Sequence, residues 1–250
     1  MSIQIVDVAK AFGSKVVLAG CDLEILEGET MAVIGYSGAG KSVLLKTIVG
    51  LLEPDRGRAV VDGLVVQELP REALYELRRQ VGYVFQFAAL FDSMTVAENV
   101  AMGLQRMGTM SETEIDERVE ESLRLVELEG YGPRMPAELS GGQRKRAGLA
   151  RAIATRPKYL LYDEPTTGLD PVTTAVIDRL ILKLKNELRV TSVVITHDMQ
   201  SAYRVGDRIA MLYEGRIRQV GLPDQIRESA DPVVRGFVEG RPEAAEEAAA

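Results

Sequence analysis

The sequence predicts an α/β fold with a mixed central sheet, and two patterns indicate it. Short β-like runs recur along the chain, and segments with helical periodicity separate several of them, which is typical of α/β architecture with largely parallel strands. The β-like runs occupy residues 3–8, 21–26, 30–34, 59–61, 81–85, 159–162 and 192–196. The clearest helical segments occupy residues 41–51, 140–155 and 171–188.

Two stretches depart from this alternation and predict separate subdomains. The first strands are joined by tight turns such as the one at residues 26–29, so we predict an N-terminal antiparallel β-subdomain. The strand signal is missing from about 87–155, where the sequence is helical and acidic, and we predict an inserted helical subdomain there. Within it, Ser111 and Glu114 fit a capping box at the start of a helix.

The domain organisation follows from these segments. We expect one domain over residues 1–240, with a core formed by about 1–86 and 156–230 and the helical subdomain formed by about 87–155. Residues 241–250 are mostly Ala and Glu and have little to bury, so we expect them to form a flexible tail.

Composition and charge disfavour several functional classes. The chain of 250 residues is 46% hydrophobic and carries 37 acidic against 30 basic residues, a formal net charge of −7 that disfavours nucleic-acid binding. The single cysteine, Cys21, cannot close an intrachain disulfide, which fits a reducing compartment and a cytoplasmic location. No apolar stretch reaches the roughly 18 residues that a membrane-spanning helix needs, so we expect any membrane role to come through a partner.

A glycine-rich loop carries the strongest functional signal. Residues 35–42 read Gly-Tyr-Ser-Gly-Ala-Gly-Lys-Ser and match the P-loop pattern G-x-x-x-x-G-K-[ST], directly between a predicted strand and a predicted helix. In that context backbone N–H groups and the helix N-terminus face the phosphates of ATP, Lys41 adds charge beside them, and Ser42 offers a hydroxyl to Mg²⁺. A plain glycine-rich turn is the structural alternative. The predicted ATP-binding residues of this loop are Gly35, Ser37, Gly38, Ala39, Gly40, Lys41, Ser42 and Val43.

A pair of carboxylates follows the β-like run at 159–162. Asp163 and Glu164 are therefore predicted at the carboxyl edge of the sheet, where open α/β folds bind ligands. We expect Asp163 to hold Mg²⁺ through water and Glu164 to polarise the water that attacks the γ-phosphate. A polar strand end that caps the next loop is the structural alternative, and the P-loop in the same chain favours the catalytic interpretation.

A third motif, Leu-Ser-Gly-Gly-Gln at residues 139–143, precedes a predicted helix. Read alone, it is a serine N-cap followed by flexible glycines. In order and spacing with the P-loop and the carboxylate pair, it resembles the ATP-binding cassette (ABC) family over about residues 2–240. The resemblance implies a P-loop NTPase fold and ATP hydrolysis by two facing copies. Each copy would then cover the nucleotide of the other with Ser140, Gly141, Gly142 and Gln143.

The same resemblance implies roles for single residues. Phe12 would stack on adenine, and a core phenylalanine is its structural alternative. Gln86 would contact Mg²⁺ or the attacking water, against the alternative of a plain surface glutamine. His197 would hydrogen-bond the γ-phosphate, against the alternative of a structural histidine.

Asp170 matches a loop that crosses to the opposite copy, and an N-cap before Pro171 explains it equally well. The implied catalytic residues are Glu164, His197, Gln86 and Lys41, and the implied metal ligands are Ser42, Gln86 and Asp163.

Three functions are open to such a cassette. It could be an ATPase subunit of a membrane transporter, a protein acting on DNA or ribosomes, or a regulatory module that holds nucleotide without turnover. One compact cassette without sustained heptads disfavours the second class, and the presence of Glu164 and His197 disfavours the third. We therefore expect a transport ATPase at the cytoplasmic face of the inner membrane, forming a homodimer on ATP and bound to integral membrane permease subunits.

Local segments point to one branch of the family. Phe85-Gln86 and residues 89–100, 135–138 and 231–235 resemble the ATPases of Mla-type, Mce-associated lipid transporters. That resemblance implies phospholipid or other lipid traffic across the cell envelope, with an Mce-domain lipid-binding protein and a small regulatory subunit as further partners. A small-solute importer is the alternative. The apolar segment 87–91 lies where cassettes grip the permease, and packing inside the helical lobe is the alternative for part of it.

Overall fold

The computed structural model describes residues 2–241 and has strands and helices in the predicted alternation. The strands are β1 (Ile3–Phe12), β2 (Lys15–Ile25), β3 (Thr30–Ile34), β4 (Arg56–Val61), β5 (Leu64–Val65), β6 (Val81–Val84), β7 (Tyr159–Asp163), β8 (Thr191–Ile195), β9 (Arg208–Tyr213) and β10 (Arg216–Gly221). The helices are α1 (Lys41–Ile48), α2 (Arg71–Arg79), α3 (Val96–Met107), α4 (Glu112–Leu125), α5 (Gly141–Ile153), α6 (Pro171–Leu188), α7 (Met199–Val205), α8 (Pro223–Arg227) and α9 (Pro232–Val238). Apart from Arg241, the predicted flexible tail lies outside the described residues.

The chain forms two compact units. The first combines residues up to Tyr75 with those from Thr191 onward, and the second is Glu76–Val190. The second unit therefore contains the predicted helical subdomain, residues 87–155, together with β6, β7 and α6. None of the helices within residues 2–241 combines the length and the apolar composition needed to cross a bilayer.

An antiparallel sheet in the first unit confirms the predicted N-terminal β-subdomain. Its strand order is β2-β1-β4-β5, and β1 pairs with both β2 and β4 in antiparallel register. The prediction was wrong about one turn, because residues 26–29 do not join an antiparallel pair but lead from β2 into β3 of another sheet. Glu29 accounts for this path, since its carboxylate accepts the Leu26 N–H at 2.7 Å and pairs with Arg208 of β9 at 2.6 Å.

The first unit also holds a mixed group of strands in the order β10-β9-β3-β8. β3 runs parallel to both β8 and β9, and β10 returns antiparallel to β9. Every residue of β3 and β8 is buried, as expected for parallel strands covered on both faces. The parallel pairing confirms the predicted mixed sheet. It also places the residues that follow β3 and β8 at one edge.

The second unit places a helical group beside two parallel strands. β6 pairs with β7 from Val81 opposite Tyr159 to Val84 opposite Tyr162. The helices α3, α4 and α5 pack on one another, and α5 also packs on β6. The predicted capping box is confirmed at the start of α4, where Ser111 and Glu114 each accept the other's backbone N–H.

A buried asparagine holds the loop that enters α3. The side-chain amide of Asn99 donates to the carbonyl oxygens of Phe91, Met94 and Thr95 at 3.1, 3.1 and 2.9 Å. Its carbonyl oxygen accepts the Phe91 N–H at 2.7 Å. Asn99 is fully buried and inaccessible to water. Its side chain therefore satisfies the hydrogen-bonding groups of the loop main chain in place of water.

We expect Asn99→Leu to destabilise the chain. Because a buried donor or acceptor that loses its partner costs about 1–3 kcal/mol, the free energy of unfolding should fall by about 3 kcal/mol in urea denaturation. Gln105→Leu is the matched control, since Gln105 lies exposed on the same helix and should change stability by no more than about 0.5 kcal/mol. Equal losses for the two variants would show that the Asn99 bonds do not hold this loop.

Candidate functional site

The P-loop begins where β3 ends, and its first glycine is required by close packing. Gly35 has a φ of 152°, and a Cβ added there would lie 2.3 Å from the main-chain oxygen of Leu212 in β9. No side chain fits at that distance. The residue that follows the buried strand β3 at the sheet edge must therefore be glycine.

Helix α1 starts directly after the loop without a side-chain cap. Its N-cap residue is Gly40, which is in a left-handed conformation and has no side chain to cap the helix. The first-turn N–H groups and the positive end of the helix dipole favour an anion at this point. The loop is braced from within, because the Ala39 N–H donates to the Tyr36 carbonyl at 3.1 Å.

Lys41 places its ammonium on the inner side of the loop. Its Nζ donates to the main-chain oxygens of Gly35 at 2.8 Å and Tyr36 at 3.2 Å, and the side chain is buried. The position of the positive charge is therefore fixed by the loop's own carbonyls. A phosphate group held by the loop N–H groups would meet a cation already in place.

Tyr36, the second residue of the loop, points its ring into an apolar cluster of the first unit. The ring packs edge-on against Phe237 of α9, with centroids 4.9 Å apart, and against Tyr213 at 6.1 Å. Helix α9 thus contacts the P-loop through one aromatic side chain.

Two further predicted residues of the first unit lie at strand ends. Phe12 is the last residue of β1, is about half exposed at 49%, and has the Lys10 ammonium 5.7 Å from its ring centroid. His197 is exposed in the segment between β8 and α7. Because β3 and β8 are parallel neighbours, with Val33 opposite Ile195, the P-loop and the His197 segment leave the same sheet edge.

In the second unit, the predicted carboxylates follow one another at the end of β7. Asp163 is buried and accepts a hydrogen bond from the Tyr83 hydroxyl at 3.1 Å. Burial raises the pKa of Tyr83, with the Asp163 charge adding to the effect, so the phenol stays protonated and able to donate. Glu164 has a left-handed φ of 53°, and its carboxylate accepts the Thr167 hydroxyl at 3.0 Å.

Gln86 lies at the same edge as these carboxylates. β6 and β7 are parallel neighbours, with Val84 opposite Tyr162, so residues just after both strands leave the sheet together. The structure therefore brings Gln86 to the neighbourhood of Asp163 and Glu164. Lys145 of α5 joins them, because its ammonium donates to the Gln86 carbonyl and lies 3.4 Å from the Glu164 carbonyl.

The motif at residues 139–143 forms the N-terminus of α5. Ser140 is the N-cap, and it shares a capping box with Gln143: the Gln143 side chain accepts the Ser140 N–H at 2.8 Å, and Ser140 Oγ accepts the Gln143 N–H at 3.3 Å. Ser140 and Gly141 are exposed. The helix end is thus built as a donor surface open to solvent.

Sequence reasoning did not find two structural roles here. Gln143 stabilises the N-terminus of α5 and donates to the Tyr131 hydroxyl at 3.1 Å, and the serine-to-glutamine spacing of three could have signalled the capping box. The buried position of Lys145 had no sequence signal, since a lysine in a basic stretch is usually exposed. Asp170 does cap α6, accepting the Val172 and Thr173 N–H groups at 2.9 and 3.0 Å.

Comparison with known sequences agrees with these motifs. A family model described as "ABC transporter" matches residues 18–167. The sulfate/thiosulfate import ATP-binding protein CysA of Caulobacter vibrioides is 46% identical over 242 residues, which cover 95% of this chain and 70% of that protein. The probable ribonucleotide transport ATP-binding protein mkl of Mycobacterium leprae is 40% identical over 241 residues, covering 96% and 70% of the two chains.

Solved structures with the same fold include two cassettes. The ATP-binding cassette MJ0796, solved as a dimer in a post-hydrolysis state with ADP and Pi, superposes with a TM-score of 0.80 at 35% identity over 88% of this chain and 98% of that one. The cbiO1 subunit from Clostridium perfringens, part of the transporter complex cbiONQ, gives a TM-score of 0.83 at 30% identity over 99% and 98%. With the family model matching more than half of its length, the chain belongs to the ABC transporter family as an ATP-binding subunit.

Proposed function

We propose that the chain hydrolyses ATP with Mg²⁺ at a site completed by a second copy, and that this cycle drives a membrane permease. Family membership supports ATP binding and turnover. The observation that carries the proposal is the sheet edge of the second unit, where Asp163, Glu164 and Gln86 leave neighbouring parallel strands. An edge of this kind places carboxylates where parallel-sheet proteins bind their ligands.

The P-loop of one copy would grip the triphosphate. Its backbone N–H groups over residues 35–43 and the N-terminus of α1 favour the negative charge, and Lys41 adds a fixed cation. The exposed ring of Phe12 would stack on adenine, for which only an aromatic face is needed.

Ser42, Gln86 and Asp163 are the residues proposed to hold Mg²⁺. Their oxygens are the hard ligands that this ion prefers, and such sites are usually completed by water and phosphate oxygens. The Tyr83 hydroxyl fixes the orientation of the Asp163 carboxylate for this role. When bound, Mg²⁺ neutralises charge on the β- and γ-phosphates.

Glu164 is proposed as the base for the attacking water. The Thr167 hydroxyl donates to its carboxylate at 3.0 Å and so orients it. Gln86 would position the same water, and His197 would donate a hydrogen bond to the γ-phosphate. These groups would position the reactants, and such positioning together with electrostatic stabilisation accounts for most catalysis of phosphoryl transfer.

The second copy is proposed to cover the γ-phosphate with Ser140, Gly141, Gly142 and Gln143. Ser140 Oγ and the first backbone N–H groups of α5 can donate to an anion in front of the helix end. Because Ser140 and Gly141 are exposed, this donor surface is available to another molecule. The MJ0796 cassette, 35% identical to this chain, is dimeric in its ADP- and phosphate-bound structure, which supports pairing here.

Lipid is the proposed cargo, moved by a permease that spans the inner membrane while this chain lies on its cytoplasmic face. The support is the sequence resemblance of residues 89–100, 135–138 and 231–235 to Mla-type ATPases, whose systems include an Mce-domain protein and a small regulatory subunit. A small-solute importer is the second candidate, favoured by the 46% identity to a protein named for sulfate and thiosulfate import. The genes beside the one for this chain would distinguish the two candidates. A gene for an Mce-domain protein would favour lipid transport, and a gene for a solute-binding protein would favour small-solute import.

Two exposed phenylalanines form the proposed contact with the permease. Phe87 and Phe91 are 81% and 53% exposed, while Ala88 between them is buried. Only part of the predicted docking segment therefore faces solvent. Apolar side chains with this exposure are typical of surfaces that a partner covers.

We expect Glu164→Gln to stop hydrolysis while ATP still binds. Loss of the general base should lower the rate of phosphate release at least about a hundred-fold, because such catalysis contributes about a hundred- to ten-thousand-fold. ATP binding, measured by equilibrium dialysis, should change little since the amide keeps the size of the side chain. Glu187→Gln, at an exposed position of α6, is the matched control and should keep the wild-type rate. Near-normal phosphate release by Glu164→Gln would contradict the assignment.

We expect Phe91→Glu to weaken binding to the permease, because a charge would enter an apolar contact. The measurement is co-purification of the integral membrane subunits with the tagged full chain, compared with wild type. Leu51→Glu serves as the control, since Leu51 is equally exposed at 53% and lies outside the proposed contact. If both variants retain the membrane subunits as wild type does, Phe91 is not part of the docking surface.

A further inference from the structure

Helix α5 buries a lysine whose charge faces main-chain oxygens. Lys145 is 8% exposed, and its ammonium donates to the carbonyl of Gln86. The same nitrogen lies 3.4 Å from the carbonyl of Glu164. One cation thus contacts the backbone of two residues from different strand ends. Burial lowers the pKa of Lys145, whereas the charge of Glu164 raises it.

The same face of α5 holds the rest of the loop that follows β6. Arg151, six residues after Lys145, donates to the carbonyls of Ala88 at 2.9 Å and Ala89 at 2.5 Å. Between them, Gly148 lets the loop approach, because a Cβ added there would lie 3.2 Å from the Ala88 oxygen. Residues spaced by three along a helix share one face, so these three form a continuous contact with the loop.

The loop conformation itself depends on outside contacts. Ala88 and Ala89 have φ values of 40° and 50°, in the left-handed region that residues with a side chain rarely adopt. Strained backbone persists where its surroundings hold it in place. Here the surroundings include the guanidinium of Arg151, which donates to the carbonyls of both residues.

We propose that Lys145 is a positioning residue that fixes the backbones of Gln86 and Glu164 to the helix that begins at Ser140. The proposal rests on the roles given above to Gln86, Glu164 and Ser140. Helix α5 then carries the donor surface for the partner's nucleotide at its N-terminus. About one turn later, the same helix positions Gln86 and Glu164, the two residues proposed to align the attacking water. A displacement of α5 would therefore move the backbones of both Gln86 and Glu164 through the Lys145 ammonium.

The test is a comparison of three full-length variants in steady-state ATP hydrolysis. Lys145→Met keeps the length and apolar stem of the side chain and removes the charge, so kcat should fall by about tenfold to a hundredfold, as expected when reacting groups are misplaced. The KM for ATP should change less than about threefold, because Lys145 contacts none of the proposed nucleotide-gripping groups. Lys145→Arg restores a donor of similar reach and should recover part of kcat.

Arg146→Met is the matched control. Arg146 lies next along α5 and also donates to main-chain carbonyls, of Glu127 at 2.8 Å and Val126 at 3.5 Å, on another part of the unit. Arg146→Met should leave kcat within about threefold of wild type. Its melting temperature should be similar to that of Lys145→Met, so that a difference in kcat between the two variants does not reflect stability.

Two results would overturn the inference. One is an equal loss of kcat in Lys145→Met and Arg146→Met, and the other is a loss in Lys145→Met that only follows the fraction of unfolded protein. Failure of the proposed function is distinguishable, because it would appear as normal hydrolysis by Glu164→Gln, whatever Lys145→Met does.

Discussion

Backbone geometry at the carboxyl ends of buried parallel strands is the constraint on which the candidate site depends. β3 is buried along its whole length and is followed by Gly35, where the Leu212 carbonyl leaves no room for a side chain. β7 is equally buried and ends at Asp163, after which Glu164 turns the chain with a φ of 53°. In each unit the candidate side chains lie at or just beyond strand ends, so the sheets determine which side chains can contribute to the site.

Main-chain groups supply much of the chemistry at these edges. The uncapped N-terminus of α1 and the serine-capped N-terminus of α5 both present backbone donors suited to phosphate oxygens. Two buried lysines donate to main-chain carbonyls. Lys41 binds the carbonyl of Gly35 in its own loop, and Lys145 binds the carbonyl of Gln86, which follows β6. The acidic net charge of −7 is therefore compatible with binding an anion, because the favourable field is local and comes from oriented dipoles and two enclosed cations.

Local sequence could predict the elements that local chemistry determines. The buried strands, the P-loop between strand and helix, and the capping box at Ser111 follow from residue patterns within a few positions. The strands β9 and β10 were missed. Edge strand β10 has no continuous apolar run, whereas the apolar run at residues 209–212 could have signalled β9. The turn at 26–29 was misassigned because its direction depends on Glu29 meeting Arg208, about 180 residues later in the chain. The buried position of Lys145 depends on tertiary packing in the same way, while the catalytic roles remain predictions from motif order.

The most direct test of a site shared between two copies is a cross-link. Copies carrying Ser37→Cys are mixed with copies carrying Ser140→Cys, both with Glu164→Gln, and treated with a short bifunctional maleimide with or without ATP and Mg²⁺. The native Cys21 should not react, because burial raises the pKa of its thiol to about 12. Ser111→Cys, at another exposed N-cap of the second unit, replaces Ser140→Cys in the control. The account predicts a cross-linked dimer that requires ATP and Ser140→Cys, and equal yields from Ser140→Cys and Ser111→Cys would contradict it.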